Sequence, residues 1–175
     1  MSSAKNRCLA SPVSLEAISQ RNRTAQIETL EYDIGYNATR KIYIGTDILE
    51  ALPDYAKGLS ADRFFIITDT DVEKGYFAKV EDILSQVTKT HRISFPAGES
   101  SKTLSTLEAV AAKVLNAGAT KTSVIVCLGG GVVGNLGGLL SALLFRGMMF
   151  FHIPTTLTAQ IDSTIGIKQA VNYKK

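Results

Sequence analysis

The sequence has no tryptophan, and it has only two cysteines and two histidines in 175 residues. Cys8 lies in a polar leader and Cys127 lies inside an apolar run, which excludes the disulfide framework of a small secreted protein. We therefore expect a reducing, cytoplasmic compartment. His91 and His152 have no cysteine or glutamate pair at ligand spacing nearby, so the sequence predicts no metal site in this chain.

A dense block of charge of one sign is also missing. The 19 basic and 16 acidic residues give a net charge of +3 and are scattered along the chain. Nucleic-acid-binding proteins usually carry a basic stripe with interleaved aromatic residues. We expect no nucleic acid partner and a small anion instead.

The chain divides into a leader and one domain. Residues 1–26 contain Glu16 as their only acid among several basic residues and serines. This composition predicts a disordered leader, and an organelle targeting peptide is the alternative. Residues 27–175 predict one nucleotide-binding domain, because 45% hydrophobic residues suffice for a core. The pattern of elements stops abruptly at Lys175, so we expect this domain to be truncated at its C-terminal end.

One uncharged stretch, residues 124–145, is long enough to span a membrane as a helix. Three consecutive glycines from Gly129 and the amide of Asn135 argue against insertion, because unsatisfied backbone groups are costly in lipid. We expect no membrane partner.

Strand-like and helix-like apolar patterns alternate after the leader, which predicts an α/β, Rossmann-like parallel sheet with crossover helices. A hairpin is expected from 28–34 and 41–44. The predicted buried strands are 64–68, 90–95, 123–128 and 148–153. The predicted helices are 47–59, interrupted early by Pro53, then 71–87, 102–117, 132–145 and a last helix from Thr155 or Thr156 to about Gly166. Ser105 and Glu108 predict a capping box, and Gly118 predicts a helix end.

A glycine-rich turn lies between the most hydrophobic strand and the most hydrophobic helix. Gly129, Gly131 and Gly134 match G-x-G-x-x-G at a strand-to-helix junction, where backbone N–H groups and the helix N-terminus favour a pyrophosphate. A packing turn, common in α/β proteins, is the alternative explanation.

The acid expected about 20 residues after such a turn is missing, because Phe150 and Phe151 lie there. Asp69 and Asp71 follow an earlier strand and offer substitutes for the ribose contact. Helix capping explains both acids equally well.

Three further groups of polar residues follow predicted strands or helices. The loop 98–102 pairs Glu99 with Lys102, which suits a nucleotide but is also ordinary surface. Thr155 and Thr156 end a buried strand where open α/β sheets bind ligands, and Asp162 and Lys168 come after them. These two could orient sugar hydroxyls and hold a phosphate. Arg146 at a helix C-terminus needs no functional explanation, because a cation is favourable there.

The segments FPAGESSKTL, GGGVVGNLGG and FRGMMFFHIPTTLTAQIDSTIGIKQAVN resemble the sugar phosphate cyclases, the superfamily of 3-dehydroquinate synthase. The resemblance covers about residues 42–172. It implies NAD in an N-terminal α/β domain, a divalent metal, Zn or Co, in a C-terminal helical domain, and a homodimer. The implied substrate is a sugar phosphate. The implied reaction is transient oxidation of a ring hydroxyl, phosphate elimination, hydride return, ring opening and aldol closure to a carbocycle.

The resemblance also implies roles for individual residues. Asp162 and Lys168 would be catalytic, and Lys168 would hold the substrate phosphate together with Arg146 from a partner subunit. Asp69 would contact the adenosine ribose. The implied cofactor-binding residues are Asp69, Glu99, Lys102, Gly129, Gly130, Gly131, Gly134, Asn135, Thr155 and Thr156.

Two departures bear on the subgroup. Asn135 replaces a usual Asp, and Ile167-Lys168-Gln169 replaces Gly-Lys-Thr, and both changes favour 2-deoxy-scyllo-inosose synthases. The run AQIDSTIG favours 3-dehydroquinate synthases.

The chain lacks the helical domain, so we expect it to bind NAD weakly and to turn over no substrate. An iron-type, NAD-dependent alcohol dehydrogenase domain and a non-catalytic nucleotide-binding domain are the alternatives.

Overall fold

A four-stranded parallel sheet organises the computed structural model, which describes residues 27–33, 39–166 and 169–173. Its strands are β3 (Arg63–Asp69), β4 (Lys89–Phe95), β5 (Val124–Gly129) and β6 (Met149–Pro154), in the order β4-β3-β5-β6. Central parallel strands are buried on both faces and read as unbroken apolar runs. The run 64–68 of β3 and all of β5 follow this rule, because every one of their residues is buried.

An antiparallel hairpin, β1 (Ile27–Asp33) with β2 (Thr39–Gly45), precedes the sheet. This hairpin confirms the predicted pairing. Three predicted features lie outside the described residues, namely the leader, the hairpin turn within 34–38 and Lys168.

Helices cover both faces of the sheet. On one face, α1 (Leu52–Gly58) and α3 (Ala78–Ser85) pack on Phe64 and Ile66. On the other, α4 (Leu104–Asn116) and α5 (Gly131–Leu143) pack on Phe65 and Ile67. Successive residues of β3 thus serve opposite cores, as the two-residue period of a strand requires. The α/β fold class predicted from the sequence is confirmed.

The helical stretch predicted over 47–59 is divided just before Pro53, into the 3-10 turn Ile48–Ala51 and α1, which confirms the predicted early interruption. Pro53 lies in the first turn of α1, where its missing N–H is not needed. One local prediction about a helix end is wrong. Ser105 and Glu108 form no capping box, since Thr103 caps α4 by accepting from the N–H of Thr106 at 3.2 Å. Gly118 does end α4, with φ of +80°.

The predicted helix 71–87 is irregular. It begins as α2 (Thr70–Val72), widens into a π turn at Glu73–Phe77 and continues as α3. The last helical segment, 157–165, also contains a π turn, Ala159–Ser163.

The uncharged run 124–145 is divided between β5 and α5, and no helix in the described ranges is long and apolar enough to cross a membrane.

Close packing joins β5 and α5, since a Cβ at Gly137 would overlap the Sγ of Cys127. Complete burial raises the pKa of that thiol to about 12, so Cys127 is a packing residue and not a nucleophile.

The strand order creates a switch point. The chain passes from β3 outward to β4 and then returns to β5 on the opposite side of β3. Open α/β sheets bind ligands outside the carboxyl ends of the strands at such a reversal. Asp69 pairs with Phe95, and Gly129 pairs with Pro154, so these four residues mark one edge, which we call the carboxyl edge.

Candidate functional site

The carboxyl edge collects most of the residues that the sequence singled out. Asp69 ends β3, Glu99 and Lys102 follow β4, the glycine turn follows β5, and Thr155 follows β6. The convergence is topological, because parallel strands end at the same side of the sheet.

The glycine turn presents the N-terminus of α5. Gly130 is the N-cap residue and no side chain caps the helix, and the first helical bond runs from the N–H of Gly134 to the carbonyl of Gly130 at 3.0 Å. The N–H groups of the first turn therefore have no intrahelical partner. Together with the helix dipole they favour an anion.

The space around each glycine shows whether packing alone requires a glycine there. A Cβ at Gly129 would lie 2.5 Å from Cγ2 of Val133, and one at Gly134 would lie 3.1 Å from Cβ of Ser163, so packing explains both glycines. A Cβ at Gly130 or Gly131 would have its nearest neighbours at 3.4 and 3.6 Å, which is ordinary contact. Packing therefore does not require glycine at 130 or 131.

Two threonines follow β6, and their hydroxyls have different surroundings. Oγ1 of Thr156 accepts from the N–H of Ala159 at 3.2 Å and so caps the last helix. Thr155 donates its N–H to the carbonyl of Gly129, but its buried Oγ1 has no hydrogen-bond partner within the described ranges. Buried polar atoms normally have partners, so this hydroxyl fits a hydrogen-bonding ligand.

The carboxylate of Asp69 caps a helix and still has free capacity. Its Oδ1 accepts from the N–H groups of Asp71 and Val72, both at 3.0 Å. Its Oδ2 accepts no hydrogen bond from any residue that the structure describes, and a carboxylate oxygen can accept more than one. Asp71 instead pairs with Lys74 at 3.4 Å on the surface.

A residue that the sequence did not single out, Asn172, contacts the loop after β4. Its Nδ2 donates to Oε1 of Glu99 at 3.0 Å, and the Nζ of Lys102 lies 3.7 Å from the same oxygen. The only sequence signal was its place at the end of the family-like segment QAVN, because the contact joins residues 73 positions apart.

Both ends of the Asn135 amide are engaged within the protein. Nδ2 donates to the carbonyl of Gly131 at 2.7 Å, and Oδ1 accepts from the N–H of Ala170 at 2.9 Å. Asn135 thus links the first turn of α5 to the C-terminal segment of the chain.

The residues that the resemblance assigns to the substrate are spread more widely. Asp162 is exposed in the last helical segment, and its carbonyl accepts from the N–H of Gly166. Lys168 lies outside the described residues. Arg146 is not at the carboxyl edge, because the 13 residues of α5 carry the chain back across the sheet by about 20 Å. The Nζ of Lys121 holds that turn through the carbonyls of Phe145 and Gly147.

The carboxyl edge combines groups that suit a nucleotide phosphate, and its described residues form no metal-binding group. It combines unpaired helix N–H groups, the Thr155 hydroxyl and one free oxygen of Asp69. Within residues 27–33, 39–166 and 169–173, no group of three His, Cys, Asp or Glu side chains could hold a metal ion. His91 stacks on Phe65, and burial, Lys89 and Arg63 together lower the pKa of its imidazole, so it is placed as a packing residue.

Comparison with known proteins identifies the family of this chain. The family model described as 3-dehydroquinate synthase N-terminal matches residues 92–175. A 2-deoxy-scyllo-inosose synthase of Streptomyces fradiae is 41% identical over 130 residues, which are 74% of this chain and 30% of that protein. A 3-dehydroquinate synthase of Shewanella loihica is 34% identical over 84% of this chain and 41% of its own length. The chain thus spans about a third of the length of the first curated relatives that it matches.

Solved structures separate near from distant relatives. A crystal structure of 2-deoxy-scyllo-inosose synthase complexed with carbaglucose-6-phosphate, NAD+ and Co2+ matches 83% of this chain and 40% of its own, with a TM-score of 0.79 and 30% identity. An iron-containing alcohol dehydrogenase matches with a TM-score of 0.52 and 18% identity, which shows a shared fold alone. The chain belongs to the 3-dehydroquinate synthase-like family of sugar phosphate cyclases.

Proposed function

We propose that the carboxyl edge binds NAD. The observation that carries the proposal is the open N-terminus of α5, where packing does not require glycine at Gly130 or Gly131. In the adjoining loop, the Thr155 hydroxyl has no partner within the part of the chain that the structure describes. The relative with a TM-score of 0.79 was solved with NAD+, which supports the same ligand here.

Each residue of the edge has a role in this proposal. The N–H groups at Gly130 and Gly131 hold the pyrophosphate, with Gly129 and Gly134 shaping the turn. The Oδ2 of Asp69 accepts from the adenosine ribose, so that an acid on an earlier strand replaces the one missing about 20 residues after the glycine turn. Glu99 and Lys102 complete the nucleotide contacts from the loop after β4. The hydroxyl of Thr155 contacts the bound nucleotide, and Thr156 shapes the helix entry beside it.

The complete reaction is carbocycle formation from a sugar phosphate. NAD, when bound, supplies transient oxidation of a ring hydroxyl, which acidifies the neighbouring C–H and is reversed before product release. Asp162 orients substrate hydroxyls, and Lys168 holds the substrate phosphate. No metal ligand set occurs in the described part of the chain, so no step is assigned to a metal here.

The resemblance to the family, rather than the position of Arg146 alone, supports a homodimer in this proposal. Arg146 lies about 20 Å from the glycine turn of its own chain by the length of α5, too far to share that site. In a dimer, its guanidinium would reach the substrate phosphate of the partner subunit. A reducing cytoplasmic location, predicted from the two cysteines, belongs to the same proposal.

Within the family we favour the 2-deoxy-scyllo-inosose synthase subgroup, with glucose 6-phosphate as substrate, over 3-dehydroquinate synthase. Asn135 carries this choice, because its Nδ2 donates to the Gly131 carbonyl and an aspartate cannot donate there. The identities of 41% and 34% to the two kinds of relative point the same way.

Activity assays on two proteins test the proposal. The chain alone should show a thermal shift with NAD and release no phosphate from either sugar phosphate. A fusion of this chain to the helical domain of the S. fradiae relative should release phosphate from glucose 6-phosphate without net NADH. Net NADH accumulation in the fusion would indicate a dehydrogenase, and a heptulosonate phosphate as the preferred substrate would reverse the choice of subgroup. The absence of any NAD-dependent shift in the chain alone contradicts the nucleotide site.

A further inference from the structure

A short segment near the C-terminus connects two parts of the carboxyl edge that are distant in sequence. Residues 169–172, which we call the strap, run from the first turns of α5 to the loop after β4. At its end, Asn172 forms an isolated parallel bridge with Thr103. The strap therefore spans the space between the glycine turn and the Glu99 loop.

The first attachment of the strap is to α5. Oδ1 of Asn135 accepts from the N–H of Ala170 at 2.9 Å, while Nδ2 of the same amide is held by the Gly131 carbonyl. The side chain of Gln169 lies directly over Gly138, where an added Cβ would be 2.5 Å from its Cδ. The amide of Asn135 is thus fixed at both ends and sets the position of the strap.

The second attachment is to the loop after β4. The N–H of Asn172 donates to the carbonyl of Lys102 at 2.7 Å, and its Nδ2 donates to Oε1 of Glu99 at 3.0 Å. Glu99 is otherwise exposed, with 66% of its side chain accessible, while Lys102 is 18% accessible. Without the Asn172 side chain, only the 3.7 Å ion pair with Lys102 would orient this carboxylate. An ion pair whose carboxylate is this exposed contributes little to fixing its position.

We propose that Asn135 and Asn172 are positioning residues that act through the strap to hold Glu99 and Lys102 in place for the nucleotide. This inference rests on the proposed NAD site. The positioning role of Asn135 runs through the two bonds that its amide forms within the protein, to the Gly131 carbonyl and to the N–H of Ala170. Its effect reaches the nucleotide through Ala170, Asn172 and the Glu99 loop.

The two attachments act in series, so the effects of removing them should not add. Loss of the side-chain bond at either attachment loosens the link between the loop and α5, so loss of the second adds little, while the backbone bond from Asn172 to the Lys102 carbonyl remains in every variant. Two independent stabilising bonds would instead give additive effects. The proposal therefore requires non-additive effects on the loop and on NAD affinity.

The experiment compares Asn135→Ala, Asn172→Ala and the double variant with the unaltered chain. The matched control is Asn116→Ala, at the exposed far end of α4. Hydrogen exchange of the Ser101, Lys102 and Thr103 amides in the NAD-free protein reports on the loop. Calorimetric titration gives the dissociation constant for NAD.

We expect each single variant to exchange these three amides about tenfold faster and to bind NAD about three- to tenfold more weakly, and the double variant to match the single ones. Asn116→Ala should change neither quantity. If the three amides exchange at the unaltered rate in both single variants, the strap does not hold the loop. Faster exchange with unchanged NAD affinity contradicts the positioning role, as do additive effects in the double variant. An unaltered chain that binds no NAD overturns the proposed function instead, and the exchange data still decide whether the strap holds the loop.

Discussion

The two edges of the parallel sheet are built differently. At the carboxyl edge, helix N–H groups, the Thr155 hydroxyl and Oδ2 of Asp69 have no partners among the described residues. At the opposite edge, which we call the amino edge, the carboxylate of Asp62 accepts from Ser123 Oγ at 2.7 Å and from Thr120 Oγ1 at 2.9 Å. One edge leaves polar groups open, and the other pairs them with one another.

The amino edge also ties together the loops that enter three strands. The carbonyl of Asp62 accepts from Thr88 Oγ1 at 2.9 Å, and Arg63 donates to the carbonyl of Ala117 at 3.2 Å. Burial opposes the charge of Asp62, but the hydroxyls of Ser123 and Thr120 and the nearby Arg63 outweigh it and lower the pKa of this carboxyl group. The comparison teaches that paired polar side chains are concentrated at the amino edge and open polar groups at the carboxyl edge. Removal of a polar side chain at the two edges should therefore affect different quantities, stability at the amino edge and ligand affinity at the carboxyl edge.

The largest effect is expected at a glycine of the carboxyl edge that serves packing. In Gly129→Ala, the new methyl group would lie 2.5 Å from Val133 Cγ2, so we expect the free energy of unfolding to fall by about 3 kcal/mol. Urea unfolding measures it. Gly58→Ala is the control, because a Cβ there meets nothing within 4 Å. Equal stability of the two variants would show that the turn is not tightly packed.

Asp62→Ala removes the centre of the amino edge. Two hydroxyls and Arg63 lose their common acceptor, so we expect a loss of about 2 kcal/mol in the free energy of unfolding. The affinity for NAD should not change in the folded protein. Asp82→Ala, on the exposed surface of α3, is the control. A loss of NAD affinity in Asp62→Ala would break the separation between the edges.

Two threonine-to-valine variants test the comparison in opposite directions. Thr120→Val removes a donor to Asp62 and should lower the free energy of unfolding by about 1 kcal/mol with NAD affinity intact. Thr155→Val removes a buried hydroxyl that has no partner among the described residues, so stability should hold or rise while NAD binds about five- to tenfold more weakly. Thermal unfolding measures the stability of the two variants, and NAD titration measures their affinity. A destabilised Thr155→Val protein would mean that its hydroxyl is structural.

A smaller effect is expected on acidification. The folded-state pKa of Asp62 lies below the ordinary value of 3.8, so its stabilising contribution is present above that value and is lost as the pH falls through the folded pKa. The gap in melting temperature between the unaltered protein and Asp62→Ala should therefore narrow below about pH 4. A constant gap between pH 6 and pH 3 would contradict this role of the carboxylate.

Much of this arrangement could be predicted from the sequence. Apolar runs such as 64–68 and 123–128 identified the central strands, because strands buried on both faces consist almost entirely of apolar residues. The carboxyl-edge residues could be predicted to meet, since each follows a strand of one parallel sheet. The position of Arg146 also follows from sequence, as a helix after a parallel strand must return to the other edge.

Other features depended on contacts that no local pattern reveals. Thr103 caps α4 in place of the Ser105 and Glu108 pair, because the chain enters the helix two residues earlier than the capping motif requires. The contact of Asn172 with Glu99 joins residues 73 positions apart. The different uses of Gly129 and Gly131 follow from the side-chain positions of Val133 and Ser163, because the turn motif leaves residue 133 unspecified and ends before residue 163.

Calorimetric titration of NAD into the unaltered chain and into Gly131→Ala tests the central claim most directly. A Cβ at Gly131 meets only Ser163 Oγ at 3.6 Å, so this variant should fold with an unchanged melting temperature. We predict one NAD bound per chain and at least tenfold weaker binding in Gly131→Ala, because the methyl group obstructs the approach of the pyrophosphate to the helix N-terminus. No heat of binding in the unaltered chain, or equal affinity in the two proteins, would contradict the account.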